Sequence, residues 1–271
     1  MANLNFTYRL VIEYDGTRYH GWQEQANART VAGELRGVAC EVCNEKVDFG
    51  GAGRTDAGVH ALGQVAHLRT SKRHNPVELQ RSINNLLPAD INVVRVEIAP
   101  PEFHARHDAL ARYYLYQLAT QRTAFGKKYV WWIKDHLDLR QMRKAAEHFV
   151  GLHDFVHFSQ PDPSVMGNPR KSESTRVDIH RLTIDTGRGM VYVRIGASHF
   201  LWKMVRRIVG TLVVVGQGQV SPDAIPELMR RGSPEIAAHT APASGLFLER
   251  IEYPGDPKSN PTAPKLNIPS L

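Results

Sequence analysis

The order of strand-like and helix-like segments constrains the fold more than any other feature of this sequence. Short runs of apolar and β-branched residues are typical of strands, whereas longer segments with apolar residues three or four apart are typical of helices. In the first hundred residues, strands are predicted at 7–14, 46–49, 63–70 and 91–98, and helices at 31–43 and 76–87. The resulting order, β-α-β-β-α-β, is that of a ferredoxin-like unit and predicts an α+β fold.

The second half of the chain shows the same order. Strands are predicted at 109–119, 175–186, 190–195 and 246–253, and helices at 139–150 and from His199 to about Val215. Two similar halves are therefore expected, with boundaries at 1–104 and 105–253. A proline-rich tail follows at 254–271, and a second proline-rich loop lies at 160–174.

Composition excludes some classes of protein and favours one kind of partner. The 271 residues are 42% hydrophobic and 23% charged, which excludes disorder as the main state. Lysine and arginine exceed aspartate and glutamate by seven charges, which favours a polyanionic partner such as nucleic acid. Only two cysteines, Cys40 and Cys43, are present, as is typical of proteins from a reducing compartment. Charged residues interrupt the longest apolar stretch, 200–216, so no membrane span is expected.

A glycine-rich segment at 50–61 holds the densest group of candidate functional residues. It contains one carboxylate, Asp56, and one guanidinium, Arg54, in backbone that can approach a ligand closely. The segment fits neither the dinucleotide-binding nor the P-loop pattern. Three interpretations of Asp56 are open: a residue that stabilises a turn, a metal ligand together with His60 and His67, and a nucleophile or base.

Arginines stand among aromatic residues in three further stretches, at 14–23, 103–106 and 112–116. The second contains Arg106, and the third contains Arg112 and Tyr114. Guanidinium groups bind phosphate while aromatic rings stack on unpaired bases, so such stretches are typical of proteins that bind RNA.

The helix expected from His199 carries Lys203, Arg206 and Arg207 on one face, opposite apolar positions. This face is either a solvated basic surface or the source of one arginine that turns inward. An inward arginine would pair with a carboxylate and keep it ionised despite burial.

Five motifs follow one another between about residues 8 and 253. They read Tyr-Asp-Gly-Thr-x-Tyr-x-Gly-Trp-Gln at 14–23, Gly-Arg-Thr-Asp-Ala-Gly-Val-His-Ala at 53–61, Phe-His-Ala-Arg at 103–106, Phe-Leu-Trp-Lys-Met-Val-Arg at 200–206 with Ile-Val-Gly at 208–210, and Thr-Ala-Pro-Ala-Ser-Gly-Leu at 240–246. In these motifs the sequence resembles the tRNA pseudouridine synthase A family of bacteria, and the motif at 53–61 is the most specific.

The resemblance implies an enzyme that isomerises uridine to pseudouridine at positions 38, 39 and 40 in the anticodon stem-loop of tRNA. It also implies a cytoplasmic homodimer without metal or organic cofactor. The fold it implies has two ferredoxin-like halves that share one continuous, mostly antiparallel sheet.

The resemblance also assigns roles to individual residues. Asp56 would be the catalytic nucleophile, acting on the uracil ring or on the ribose. Arg54 would fill the space left by the flipped-out nucleotide, and Tyr114 would stack on the uracil and assist proton transfer. Arg206 would pair with Asp56, and Leu246 would form an apolar wall of the uracil pocket. The other basic residues of these segments are expected to contact tRNA: Arg106, Arg112, Lys203 and Arg207.

Two other classes of function remain open at this point. A non-catalytic RNA-binding protein with RRM-like sheets would need the arginines and tyrosines but not Asp56. A metal-dependent hydrolase would be built around Asp56, His60 and His67.

Overall fold

The computed structural model describes residues 4–161, 174–187 and 189–257. Within these residues there are ten strands and six α-helices. In chain order they are β1 (Phe6–Tyr14), α1 (Val31–Cys43), β2 (Asp48–Gly51), β3 (His60–Thr70), α2 (Pro76–Leu86), β4 (Ile91–Ala99), β5 (Ala111–Ala119), β6 (Trp131–Trp132), α3 (Leu139–Glu147), β7 (Gly151–Asp154), β8 (Arg176–Gly187), β9 (Met190–Ala197), α4 (Met204–Gly216), α5 (Ile225–Arg231), α6 (Pro234–Ala238) and β10 (Leu246–Glu252).

The chain divides into two compact units. Within the described residues, unit 1 comprises 4–110 and Phe247–Asp256, and unit 2 comprises those between Ala111 and Leu246 together with Pro257. This division differs from the predicted one, because the first unit extends beyond residue 104 and β10, apart from its first residue, belongs to unit 1. Most of the predicted loop at 160–174, and the predicted tail from residue 258 onward, lie outside the described residues.

The predicted order β-α-β-β-α-β is confirmed in unit 1. Its sheet has β1 between β4 and β3, with antiparallel pairing on both sides. The other edge of β3 is divided between two strands. β2 pairs antiparallel with one end, where Asp48 faces Arg69, and β10 pairs parallel with the other end, where Phe247 faces His60.

Non-local contacts place β10 in unit 1. Besides its pairing with β3, the Glu252 carbonyl accepts a hydrogen bond from the Leu110 amide. Just after the strand, the buried Tyr253 hydroxyl donates to the Ala105 carbonyl over 2.6 Å. A pattern of apolar residues within 246–253 can predict a strand there, but it cannot predict these partners.

Unit 2 has a second antiparallel sheet, with the order β5-β9-β8-β7. The two-residue strand β6 pairs with β5 in parallel. The strands and helices predicted at 109–119, 139–150, 175–186 and 190–195 are all present, whereas β6, β7, α5 and α6 were not predicted. The α+β class and the mostly antiparallel pairing are therefore confirmed. Among the described residues, no helix is long and apolar enough to cross a membrane.

The predicted start of the last long helix is wrong. α4 begins at Met204 rather than His199, because Lys203 has a left-handed backbone with φ of 61°. A residue in that conformation cannot continue a right-handed helix. Along α4 only Arg206 and Arg207 are not fully buried. Because both arginines are half-buried, the interpretation of this face as a solvated basic surface gains no support.

Candidate active site

Asp56 lies in the loop that joins β2 to β3 in unit 1. β3 holds the first part of this loop, because the Ala52 amide donates to the Val65 carbonyl over 2.8 Å. The buried side chain of Gln64 holds the next residue. Its amide nitrogen donates to the Gly53 carbonyl over 2.8 Å, and its oxygen accepts from the Gly53 amide over 3.3 Å. The loop is therefore attached to the sheet just before Arg54 and Asp56.

The segment 14–23 holds the loop from another side. The Thr55 carbonyl accepts from the Trp22 amide over 3.0 Å, and the Gly58 amide donates to the Tyr19 carbonyl over 3.3 Å. The Tyr14 hydroxyl and the Thr55 hydroxyl are hydrogen-bonded at 2.8 Å. Thr55 is buried, so the residue beside Asp56 has both its backbone and its side chain fixed.

Two glycines explain why the motifs at 14–23 and 53–61 occur together. A Cβ atom on Gly16 would lie 1.9 Å from the Val59 carbonyl oxygen. Gly21 has φ of +92°, and a Cβ atom there would lie 2.5 Å from the Thr55 carbonyl oxygen. Only glycine lets the two segments approach this closely.

The aromatic residues of the segment 14–23 belong to the core. Tyr14, Tyr19 and Trp22 are 4%, 3% and 3% exposed. The Trp22 ring packs against Tyr14 and Phe49, at centroid distances of 6.0 and 6.2 Å. Burial raises the pKa of Tyr14, which keeps its hydroxyl protonated. The expectation that such stretches stack on RNA bases therefore does not hold for these three rings, since they are buried in the core of unit 1.

Asp56 itself remains accessible. Its side chain is partly exposed between buried Thr55 and buried Val59, and Arg54 is exposed. The Val59 amide donates to the Asp56 carbonyl over 3.1 Å, which closes a tight turn. A short carboxylate side chain on a fixed backbone can meet a bound substrate without first ordering a long side chain.

The two histidines of the metal-site interpretation are engaged within unit 1. His60 Nδ1 accepts from the Gly16 amide over 3.0 Å, and its ring stacks on Phe247. His67 Nδ1 accepts from the Ala105 amide over 3.2 Å, and burial lowers the pKa of His67 to about 4. Within the described ranges, no group of three or more His, Cys, Asp or Glu side chains is arranged to hold a metal ion. The hydrolase interpretation gains no support from this geometry.

In unit 2, two neighbouring tyrosines occupy opposite faces of β5. Tyr114 is 8% exposed, and its ring packs edge-on against Phe200 at 5.2 Å. Tyr113 has its hydroxyl 3.1 Å from His180 Nε2 and its ring against Gly196. Alternate strand residues face opposite sides of a sheet, so only one of the two can belong to a given site.

The start of α4 holds the segment 239–246. Arg206 Nε donates to the Ala241 carbonyl over 2.7 Å, and the Ala241 amide donates back to the Arg206 carbonyl over 3.0 Å. A Cβ atom on Gly210 would lie 1.5 Å from the His239 carbonyl oxygen, so the crossing of this segment over α4 requires glycine. These contacts explain why the motifs at 200–210 and 240–246 accompany each other.

The adjacent arginine serves a different part of unit 2. The Arg207 guanidinium donates to the carbonyls of His157 and Ser159, and burial lowers the pKa of Arg207. The first turn of α4 thus directs Arg206 and Arg207 to separate backbone segments.

Leu246 begins β10 and is buried. Just before it, the Tyr116 hydroxyl donates to the Pro242 carbonyl over 2.7 Å. A Cβ atom on Gly245 would lie 2.6 Å from the Tyr116 ring. The segment that ends at Leu246 therefore packs on β5, the strand that carries Tyr114.

The remaining predicted residues are basic, and Arg112 and Lys203 are half-buried. Arg112 donates to the Ser198 carbonyl over 3.0 Å, and the Lys203 ammonium lies 5.2 Å from the Trp202 ring centroid. Arg106, in unit 1, is exposed. In unit 2, Arg112 and Tyr114 therefore contact the segment 198–203, which contains Lys203. Unit 1 carries the other predicted residues, Arg54, Asp56 and Arg106. The supporting role of Gln64 was missed, because a glutamine within a strand gives no distinctive sequence signal.

Comparison with known proteins identifies the class of protein to which this geometry belongs. The family model described as tRNA pseudouridine synthase matches residues 10–108 and 145–254. "tRNA pseudouridine synthase A" from Bacillus sp. (strain KSM-64) is 38% identical over 249 residues, which are 91% of this chain and 99% of that protein. The protein of the same name from Thermoanaerobacter sp. (strain X514) is 38% identical over 246 residues, which are 90% and 98% of the two chains.

A solved structure titled "Crystal Structure of a Cbf5-Nop10-Gar1 Complex" covers 76% of this chain and 53% of its own, at 11% identity and a TM-score of 0.33. That likeness is too low to carry an argument. Family membership instead follows from the residues that the family model matches and from the identities to the two relatives. The chain belongs to the tRNA pseudouridine synthase family, whose members are isomerases that convert uridine to pseudouridine in tRNA.

Proposed function

We propose that this chain forms pseudouridine at positions 38, 39 and 40 of the anticodon stem-loop of tRNA, with Asp56 as the nucleophile. The observation that carries the proposal is the Asp56 loop, which two segments of unit 1 hold while Asp56 itself stays partly exposed. The alternative of a non-catalytic RNA-binding protein does not require a carboxylate held in this way.

The reaction is an isomerisation in which no atom is gained or lost overall. The bond from uracil N1 to ribose C1′ breaks, the uracil rotates while it stays bound, and C5 bonds to C1′. A proton leaves C5 and a proton is taken up at N1. The Asp56 carboxylate bonds transiently to the uracil ring or to the ribose and is released at the end, so it is regenerated in each cycle.

The target nucleotide must leave the base stack, which costs a few kcal/mol. Exposed Arg54, two residues before Asp56, is suited to fill the space that the nucleotide leaves. Tyr114 is proposed to stack on the extruded uracil and to assist proton transfer, and Leu246 is proposed as an apolar wall of the pocket. Arg206 is proposed as the ion-pair partner that keeps Asp56 charged. Four basic residues are proposed to contact the tRNA: Arg106, Arg112, Lys203 and Arg207.

The proposal extends to the state of the protein in the cell. We propose a cytoplasmic homodimer that needs neither metal nor organic cofactor. Both cysteines are free thiols, and burial raises the pKa of Cys43 to about 11, so this thiol stays protonated and unreactive at neutral pH.

The deciding experiment replaces Asp56 by asparagine, which keeps the shape of the side chain and removes its charge. Tritium release from tRNA labelled at uracil C5 should fall by at least about 10⁴-fold, as expected when a covalent nucleophile is lost. The dissociation constant for tRNA should change by less than about threefold. Asp223→Asn is the matched control, because the Asp223 carboxylate lies on the surface, where it pairs with Lys144.

Full activity of Asp56→Asn would overturn the assignment of the nucleophile. Mapping pseudouridines in tRNA from cells with and without the protein tests the three positions separately. Loss of pseudouridine elsewhere than 38, 39 and 40 would contradict the proposed specificity.

A further inference from the structure

Residues 121–134 in unit 2 form a segment with an unusual composition that none of the five motifs includes. It has no acidic residue and carries a net charge of +4, against +7 for the whole chain. We call it the basic-aromatic segment. Its basic residues are Arg122, Lys127, Lys128 and Lys134, and its aromatic residues are Phe125, Tyr129, Trp131 and Trp132.

Two aromatic rings of this segment are unusually accessible. Phe125 is 67% exposed and Trp132 is 42% exposed. Every other Phe, Tyr and Trp side chain in the described ranges is buried or half-buried. Exposed rings of this size leave apolar area in water, and they become useful when a flat ligand covers them.

Cations stand beside the rings. The Arg122 guanidinium lies 5.8 Å from the Trp132 ring centroid, and the Lys128 ammonium lies 4.9 Å from the Tyr129 ring centroid. All four basic side chains of the segment are exposed. An aromatic platform surrounded by positive charge can bind the bases and the phosphates of one strand at the same time.

The platform is ordered before any ligand binds. β6 pairs with β5, and the Ile133 amide donates to the Ala119 carbonyl over 2.9 Å. The buried Gln117 side chain donates to the Tyr129 carbonyl over 3.2 Å, and the Trp131 ring packs edge-on against Tyr116. Half-buried Trp131 thus anchors the segment, while its neighbour Trp132 stays exposed. Binding of a ligand to this surface therefore costs little conformational entropy, because the segment is already ordered.

We propose that the basic-aromatic segment is an additional tRNA-binding surface. Trp132 and Phe125 stack on unpaired bases, and Arg122, Lys127 and Lys128 contact phosphates. The inference rests on the proposed function in one respect, since it takes tRNA as the ligand. Charge complementarity favours RNA over a protein partner, because a segment with four cations and no acidic residue matches a strand that carries one negative charge per nucleotide.

The test measures equilibrium binding of tRNA to the full chain in the Asp56→Asn background, so that turnover does not interfere. Trp132→Ala should weaken binding by about tenfold, within the range known for loss of one base-stacking ring. Trp132→Phe should restore most of the affinity. Lys127→Gln with Lys128→Gln should weaken binding and lower the slope of log affinity against log salt by about one to two.

The matched control removes two positive charges elsewhere in unit 2. Arg230→Gln with Arg231→Gln should leave the salt slope unchanged within about 0.5, because both side chains pair with Glu227. The proposal would be overturned if Trp132→Ala, and also the double variant Lys127→Gln with Lys128→Gln, bound tRNA as tightly as the Asp56→Asn parent. It would also be overturned by unchanged tRNA binding together with lost binding to vesicles of anionic lipid, which would assign the surface to a membrane.

The two proposals fail in different measurements. If Asp56→Asn keeps full activity while Trp132→Ala weakens tRNA binding, the nucleophile is wrong and the binding surface stands. If Asp56→Asn is inactive and all variants of the segment bind like the parent, the surface is wrong and the nucleophile stands.

Discussion

Two segments, 14–23 and the basic-aromatic segment at 121–134, both combine aromatic residues with arginine, but their aromatic rings differ in burial. The rings of Tyr14, Tyr19 and Trp22 lie in the core of unit 1. Those of Phe125 and Trp132 lie on the surface of unit 2. An arginine beside an aromatic residue therefore does not by itself indicate an RNA contact. The exposed area of the ring distinguishes a residue that supports a site from one that can bind a base.

The largest change in stability is expected from truncating one of the buried rings of the segment 14–23. Trp22→Ala should lower the free energy of unfolding by about 3–5 kcal/mol, because it removes a large core side chain that packs on Tyr14 and Phe49. Urea denaturation measures it. Trp132→Ala provides the contrast and should change stability by less than about 1 kcal/mol. Similar losses in the two variants would remove the distinction between the segments.

Lowering the pH should destabilise unit 1 through His67 but should not change the charge of the basic-aromatic segment. The pKa of buried His67 is lowered to about 4, so between about pH 6.5 and pH 4 the unfolded chain binds a proton that the folded chain does not. The free energy of unfolding should therefore fall as the pH is lowered through this range, by up to about 1.4 kcal/mol per pH unit. Below about pH 4 this residue adds nothing further.

Urea denaturation of His67→Gln across the same range tests this effect. Its free energy of unfolding should fall less steeply with decreasing pH than that of the parent protein. A parallel pair of slopes would contradict it. The basic-aromatic segment contains no His, Asp or Glu, so its charge stays constant over this range.

A smaller and more specific effect is expected from Tyr14→Phe, which removes only the hydroxyl bonded to Thr55. Stability should fall by about 1 kcal/mol, the usual contribution of one such hydrogen bond. If the hydroxyl fixes the loop for catalysis, kcat should fall several-fold while the dissociation constant for tRNA stays the same. Tyr8→Phe is a control, since the Tyr8 hydroxyl bonds to the backbone of His74 instead. Equal effects on kcat in both variants would assign Tyr14 a purely structural role.

Local signals predicted the first unit well. The helix predicted at 31–43 has the same bounds in the structure, because Thr30 caps its start and Asn44 ends it in a left-handed conformation. The start of α4 was mispredicted because Lys203 is left-handed without being glycine or asparagine. The sequence did not indicate that β10 pairs with β3, because these two strands are far apart in the chain.

The candidate site shows the same limit. The sequence singled out Asp56 and Arg54 because their motif is local and specific. It could not predict that the rings of the segment 14–23 are buried, since burial depends on the Thr55 loop and on Phe49. The roles proposed for Tyr114, Arg206 and Leu246 remain predictions.

The position of β10 in the chain has a consequence for folding during synthesis on the ribosome. The strand that pairs with His60 and Ala61, a few residues after Asp56, begins at residue 246. Synthesis runs from the amino end, so all of Ala111–Leu246 is translated before Phe247 can join the sheet of unit 1. Nascent chains that stop short of this strand leave that end of β3 without its partner. The pairing of Phe247 and Leu248 with His60 and Ala61 can therefore form only after the whole of Ala111–Leu246 has been translated.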